Sequence, residues 1–400
     1  MKYCILIMDG AAGWPLKEYG GKTTLELAYT PNLDALVCEG MLGMTNNVPL
    51  GMEPSSAVAC MSLLGYNPEV YYKGRAAIEA ISMGVPIKRG EAVFRCNLVA
   101  LRGGRMWSYS SGHIENEESY QLVAALNEHL GSDTVQFYPG VGYRHLLKIK
   151  GHAETTHAEC TPPHDISGKV VAKYLPRGRG SRLLNRLMQD SQKVLKQQPV
   201  NYQRVARGQI PATSIWLFWG SGPIPKVPSF NEMYKLNAVL TSGVDLLCGL
   251  GMMMGMEILD IAGVTDNMNN NFAGQAEGAL DALSVHDLAV IHVEAPDESG
   301  HAGNAAEKIA AIEKIDSEIV SRIRRYKGEL CLLVIPDHPT PVEICTHVAE
   351  AVPFLMWGPG FGAGTAQRFT ESEAISTEVL ISKGHDIMGC FVGGNGYATS

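Results

Sequence analysis

Three short apolar runs in this chain each end in side chains able to hold a metal ion. Tyr3–Met8 ends at Asp9-Gly10. Leu288–Val293 runs into Glu294-Ala-Pro-Asp297-Glu-Ser-Gly-His301. Leu330–Ile335 runs into Pro336-Asp337-His338-Pro339, with Thr346-His347 nine residues after His338. Any one of these has an ordinary explanation. An aspartate after a strand often caps a turn or helix, and an Asp–His pair can be a loop hydrogen bond. Three aspartates and three histidines at three strand ends point instead to a metal centre. A set without thiolate suits Mn²⁺, Zn²⁺, Fe²⁺ or Mg²⁺.

A second feature is the loop Gly51-Met-Glu-Pro-Ser55-Ser56-Ala57-Val58-Ala59-Cys60, which leads to Leu63-Leu-Gly65-Tyr-Asn-Pro68. The pattern predicts a helix opening near Ser56. A helix N-terminus attracts anions through its free N–H groups, and serine there is also the ordinary N-cap. Beside a metal, Ser56 gains a further role. A serine hydroxyl is a poor nucleophile until a metal or base activates it.

These groups need a scaffold that brings distant strand ends together. The clearest strand signals are Tyr3–Met8, Ser214–Phe218, Leu288–Val293 and Leu330–Ile335. They are continuous apolar runs without alternation, as expected of strands buried on both faces. Helical spacing marks Asn32–Glu39, Glu117–Leu130, Leu184–Leu195 and Ala305–Arg325. Alternating strand and helix signals predict a mostly parallel α/β sheet sandwiched by helices. In such a sheet, ligands bind beyond the carboxyl ends of the strands, where the Asp and His residues fall.

From about 86 the chain becomes rich in Gly, Pro, His and Arg, with strand-like pieces at Ala92–Leu101 and Arg144–Ile149. This predicts an inserted α+β domain over 86–199, within a discontinuous core formed by 1–85 and 200–400. Hinges are expected near Met83–Pro86 and between Pro199 and Ser214. The Pro176–Arg182 run reads as a basic, solvated turn.

The 400 residues carry a formal charge of -8, with 46% hydrophobic and 18% charged side chains. That fits a globular protein with no general attraction for nucleic acid or an anionic membrane. The apolar stretch Ala238–Val264 contains Asp245, Glu257 and Asp260, which argues against a membrane span. Nine scattered cysteines form no zinc-ribbon or redox pair and read as reduced residues of a cytoplasmic protein.

Together the residues resemble the alkaline phosphatase superfamily, and within it the archaeal-type cofactor-independent phosphoglycerate mutases. The resemblance runs nearly end to end. It includes Thr30–Asp34, Gly74–Glu79, Phe94–Leu98, Ser111–His113, Tyr143–His145, Pro162–Asp165 and Val293–Asp297. It implies an alkaline-phosphatase-like fold and interconversion of 3- and 2-phosphoglycerate through phosphoserine at Ser56. It implies one metal on Asp297, His301 and His347, and another on Asp9, Asp337, His338 and Ser56. Mn²⁺ is the expected ion, with Zn²⁺, Mg²⁺, Fe²⁺ or Co²⁺ as alternatives. Arg95, His113, Arg144, His164 and Asp165 become candidates for holding a small phosphorylated metabolite, a task suited to the arginine fork.

The chain departs from that family at several points. Ala57 follows the nucleophile where an acid is usual, Cys60 replaces a common His or Asn, and Gln275 stands where a lysine is common. Gly13 and Ser108 lie where acids are common. Gly51–Ser55 and Asp337–Pro341 also resemble a bacterial branch proposed to act as homoserine kinase. The implied alternatives are a related phosphotransferase and a degenerate, non-catalytic member.

Overall fold

A computed structural model of the chain describes residues 1–393. The chain divides into two compact units, one formed by Met1–Tyr72 with the chain from Lys226 onward, the other by Lys73–Pro225.

The first unit is built on an eight-stranded sheet. Its centre is Lys2–Met8, which pairs in parallel with Leu288–Val293 on one side and Leu330–Ile335 on the other. Ala238–Thr241 and Glu257–Ile258 extend the parallel part. Val352–Trp357 runs antiparallel between Leu330–Ile335 and Met41–Thr45, and Leu380–Ile381 completes the edge. The three central strands are almost wholly buried, which is why their sequences show no polar alternation. The expected α/β class and parallel-dominated sheet are found.

Register places the chemistry. Ile7 lies opposite both His292 and Ile335, and Met8 opposite Val293. Asp9, Glu294 and Asp337 therefore leave the sheet at one edge. Gly10 then turns the chain with φ 60°, and a Cβ there would lie 2.4 Å from Asp297 Oδ1. Both the left-handed backbone and the close approach require glycine.

The second unit is a five-stranded sheet centred on Glu91–Arg102, antiparallel to Arg144–Lys150, Ser214–Ser221 and Arg105–Ser108, with Val135–Tyr138 outermost. Helices Asn116–Leu130 and Ser181–Lys196 bury Leu122, Leu126, Leu184 and Leu187 in its core with Trp216.

Two expectations are corrected here. The Ser214–Phe218 run is a strand, but it belongs to this antiparallel sheet. It lacks alternation because helices cover it, not because the sheet is parallel. The unit boundaries also lie outside 86–199. Helix Arg75–Ser82 and Val85 pack with Val93 and Leu146, so the expected hinge at Met83–Pro86 lies inside the second unit. So does the one between Pro199 and Ser214, which contains the helix Pro199–Ala206. No helix among the described residues is long and apolar enough to cross a membrane.

Candidate metal centre

The helix near the serine spans Ser56–Leu63, and its N-cap is Ser55, whose Oγ accepts from the Val58 N–H at 3.4 Å. The cap falls to the first serine of the pair and leaves Ser56 Oγ for other work. Ser56 is 7% exposed, and its Oγ lies 3.3 Å from His338 Nε2.

Around it the first unit gathers every expected metal residue. His338 Nε2 lies 3.2 Å from Asp337 Oδ2 and 3.8 Å from Asp9 Oδ1. His301 Nε2 lies 3.1 Å from Asp297 Oδ2, and His347 Nε2 lies 3.6 Å from Asp297 Oδ1. The two halves are contiguous, since the His338 and His347 rings are 4.1 Å apart. Asp9, Asp337 and His338 can present donor atoms within 4.8 Å of one another, as can Asp297, His338 and His347.

The imidazoles are aimed. His301 Nδ1 donates to the Cys345 carbonyl at 3.0 Å, and His347 Nδ1 to the Pro54 carbonyl at 3.3 Å. A carbonyl only accepts, so both Nδ1 atoms carry a proton, and Nε2 is the nitrogen each ring turns to the centre, able to meet a metal once any proton on it is displaced. Those Nε2 atoms are 2.8 Å apart beside the Asp297 carboxylate. Two facing lone pairs repel unless a proton or cation lies between them.

The His338 tautomer is set by Thr340. Thr340 has one hydroxyl proton and donates it to Asp297 Oδ1. Its oxygen is then the acceptor for His338 Nδ1–H at 3.3 Å, which leaves the His338 Nε2 lone pair facing Ser56. Thr340 thus ties the two halves together, a role that sequence reasoning missed although the Asp337–Pro341 phrase contained it. Thr340→Val keeps the shape and removes the hydroxyl. The expected result is a loss of about 10–100-fold in metal affinity, the usual cost of removing a ligand's supporting partner. Metal titration calorimetry checks it.

The electrostatics fit cations. Asp9, Asp297 and Asp337 are all at most 2% exposed, and Asp9 Oδ1 has no hydrogen-bond partner. Burial, then the charges of Asp337 and Asp297, push the Asp9 pKa well above its usual range. Burial also works to raise Asp297, but hydrogen bonds and charge from His301 and His347 hold it well below. Burial pushes His338 down to about 4, so it is a neutral ligand at ordinary pH. Buried carboxylates in this number, one with an orphaned oxygen, beside converging imidazole lone pairs fit divalent cations.

Other neighbours were not foreseen. His292 Nε2 lies 2.8 Å from Asp9 Oδ2. Glu294 follows the same strand, and burial and the Asp9 charge raise its pKa well above the usual range. Lys308 is fully buried and donates to the Ala12 and Thr340 carbonyls at 2.9 and 2.8 Å, pinning two site loops together. The family-departing Gln275 is buried and donates to the His292 carbonyl at 2.8 Å.

The other candidates lie in the second unit. Arg95 is buried, and its guanidinium is committed to Glu79 and Asn97. His113 lies on a turn of three left-handed residues, Ser111, Gly112 and His113. It packs edge-on against Tyr109 and Tyr143, while His164 packs on Tyr109, Phe218 and Trp219. Arg144 lies over Tyr143, and Arg75 over Trp219. Asp165 is exposed, 3.7 Å from His164. Three of the five candidates, His113, Arg144 and His164, thus share one aromatic patch, with Asp165 at its margin and Arg95 beneath the surface.

Comparison with known proteins adds three findings. The sequence model of the 2,3-bisphosphoglycerate-independent phosphoglycerate mutase family matches residues 38–201. The protein of that name from Methanosarcina barkeri is 42% identical over 98% of this chain and 99% of its own length. A Geobacter sulfurreducens relative with the same description, marked probable, is 41% identical over 97% and 98%. Among solved structures, the PH0037 protein from Pyrococcus horikoshii matches with TM-score 0.82 and 25% identity over 98% of this chain and 96% of its own. The cofactor-independent phosphoglycerate mutase from Thermoplasma acidophilum shares the fold with TM-score 0.63 and 23% identity, over 99% of this chain and 100% of its own.

Proposed function

The chain belongs to the 2,3-bisphosphoglycerate-independent phosphoglycerate mutase family, and from that premise we propose that it interconverts 3- and 2-phosphoglycerate through a phosphoserine at Ser56. The observation that carries the reading is the Ser56 hydroxyl, relieved of capping and facing His338, among six convergent metal-type ligands.

In the proposed reaction, Ser56 Oγ gives up its proton and forms a bond to the phosphorus of 3-phosphoglycerate. The ester bond to the glycerate oxygen breaks, and that oxygen takes up a proton in exchange. The glycerate turns, its other hydroxyl loses its proton and attacks phosphorus, the bond from phosphorus to Ser56 Oγ breaks, and Ser56 Oγ recovers a proton. Asp297, His301 and His347 would hold one divalent ion, and Asp9, Asp337, His338 and Ser56 the other, with Mn²⁺ the expected metal. The bound pair supplies positive charge that offsets negative charge on the attacking and leaving oxygens and lowers the proton affinity of the serine hydroxyl.

The chain's own groups do the rest. Ser55 takes the cap, so that the first turn of the helix can favour the phosphoryl charge. Thr340 fixes which face of His338 meets Ser56. His113, Arg144 and His164 are proposed to grip phosphate or carboxylate, with Asp165 orienting His164. Arg95 is proposed to act from beneath, through its pair with Glu79. In the cell, we place the enzyme in the cytoplasm, in glycolysis and gluconeogenesis, a setting consistent with its nine free cysteines.

The test is a 3-phosphoglycerate assay with Mn²⁺ and without bisphosphoglycerate. Conversion that chelation abolishes and added metal restores is the expected outcome. No conversion while both ions remain bound would redirect the search to another phosphoryl acceptor.

A further inference from the structure

In the second unit, His113 stands on a turn that an ordinary backbone avoids. Ser111, Gly112 and His113 have φ values of 53°, 68° and 50°, and only the middle one is glycine. Left-handed backbone is costly for a residue with a Cβ, and it persists where the surroundings impose it. Here three serines contribute. Ser111 is fully buried, and its hydroxyl donates to the Leu98 carbonyl at 2.9 Å. Ser108 Oγ accepts from the Gly112 N–H at 2.9 Å, and Ser110 Oγ from the His113 N–H at 3.3 Å. The His113 ring itself is left exposed, edge-on to Tyr109 and Tyr143.

The Ser111 carbonyl is held by Arg204. This arginine is 2% exposed and comes from the last turn of helix Pro199–Ala206. Its Nη2 donates to the Ser111 carbonyl at 2.8 Å and its Nε to the Ile210 carbonyl at 2.9 Å. Its Nη1 pairs with Glu118 of helix Asn116–Leu130, a carboxylate that also pairs with Arg207. Ile210 packs on the turn, since a Cβ on Gly112 would lie 3.1 Å from the Ile210 Cβ. Asn201 secures the segment that carries Ile210, accepting from the Ala212 N–H at 2.9 Å and donating to the Ala212 carbonyl at 2.7 Å.

A buried cation is an expensive way to fill space, and apolar side chains would do that better. What arginine offers is its planar fork, which serves three acceptors at once where a lysine could not. The three acceptors surround His113. One is the turn itself, one is the loop that packs on the turn, and one belongs to the helix that begins three residues after His113. Arg204 therefore fixes the left-handed turn against the elements on both sides of it.

We infer that Arg204 is a positioning residue for His113. It holds the Ser111–His113 turn in its left-handed form, so that the His113 imidazole stands ready in the aromatic patch before the substrate anion arrives. Arg204 does not touch the substrate, because its guanidinium is buried and committed to protein acceptors. The inference rests on the proposed role of His113 in gripping phosphate or carboxylate, and it moves one determinant of that grip to a residue outside the patch.

A double-mutant cycle on the full chain, loaded with Mn²⁺, tests it. His113→Asn removes the imidazole and keeps a residue that tolerates left-handed backbone. Arg204→Lys keeps the buried charge beside Glu118 and gives up the fork. Each single change is expected to lower kcat/KM for 3-phosphoglycerate by on the order of 10–100-fold, mainly through KM. The double variant should fall no further than His113→Asn alone, because Arg204 acts through that ring. Metal content, set in the first unit, should stay at the wild-type level. Glu118→Gln should act in the same direction but less strongly, and it replaces Arg204→Lys in the cycle if that variant does not fold. The cycle is also read as the Kd for 3-phosphoglycerate in a Ser56→Ala background, where no turnover is needed. Losses that multiply in the double variant would make Arg204 a structural residue only and overturn the inference. So would a neutral Arg204→Lys beside an impaired His113→Asn. A neutral His113→Asn would end the substrate role of His113 and the positioning role with it. Absence of turnover with the Kd cycle intact would end the mutase reading and leave the inference standing.

Discussion

Ser56→Ala is expected to abolish phosphoglycerate interconversion while leaving the fold nearly unchanged, with the ion on Asp9, Asp337 and His338 weakened by the loss of one ligand but still bound at saturating metal. The separation follows from the division of labour between the two serines. Ser55 caps the helix, and removing that cap would cost about 1 kcal/mol. Ser56 is the first helical residue, and its Oγ makes one contact, to His338 Nε2. Loss of that contact is worth about 1 kcal/mol or less. Losing the atom that accepts the phosphoryl group leaves no covalent route. The expected fall is on the order of 10⁴-fold or more, as for loss of the nucleophile in other serine enzymes. The measurement pairs the 3-phosphoglycerate assay with phosphoprotein mass spectrometry on trapped enzyme. Wild type should carry phosphate on Ser56. Retained turnover in the alanine variant would end the phosphoserine mechanism.

Asp297→Asn is expected to weaken the binding of one metal equivalent and to lower activity by on the order of 10³-fold. Asp297 is 2% exposed, accepts from Thr340, and is the shared carboxylate of His301 and His347. The amide keeps the volume and loses the charge that draws a cation to two imidazoles. A pH signature accompanies the loss. Burial works to lower the His301 pKa, but the hydrogen bond and charge of Asp297 outweigh it and raise the pKa to about 9. The sign is that of a raised histidine. In the metal-free protein, the pair's stabilisation is fully present below about pH 6.5, the unfolded value, and is lost as pH rises through about 9. A metal must displace that proton, so wild-type affinity at this half of the site should climb with pH up to about 9. In the asparagine variant, the climb should end near the ordinary histidine range. Metal titrations at several pH values would show it, and an unchanged profile would dissociate His301 from the ion.

Much of the site was legible because metal ligands are rare residue types at constrained places. An aspartate at the end of a buried apolar run has few reasons to be there, and three such runs have fewer. Asp9, Asp297, Asp337, His301, His338 and His347 could therefore be named without knowing how the strands pair. Thr340, Lys308 and His292 could not. Lys308 acts through hydrogen bonds to two backbone carbonyls and Thr340 through one hydroxyl shared by Asp297 and His338, and a threonine or lysine at those positions looks like any other. His292 lies inside an apolar strand, where its spacing gives only a core residue. The second unit was less legible. Arg95 has the charge to grip an anion, but its neighbour across the fold, Glu79, occupies it. The boundary near residue 86 was misplaced because helix Arg75–Ser82 is apolar on one face wherever it packs.

By itself, the sequence determined the strand-end carboxylates and imidazoles, the serine at a helix start and the α/β class, because apolar runs and their terminal residues are local properties. Only the tertiary structure decided which atoms meet. The parallel register of Lys2–Met8 with its two neighbours brings Asp9, Glu294 and Asp337 to one edge. The carbonyls of Cys345 and Pro54 and the hydroxyl of Thr340 decide which nitrogen of each imidazole faces the centre. The choice of Ser55 as cap leaves Ser56 free. The directions of His301 and His347 and the tie from Thr340 to Asp297 are settled by hydrogen bonds between residues far apart in the chain, and such partners exist only once the chain has folded.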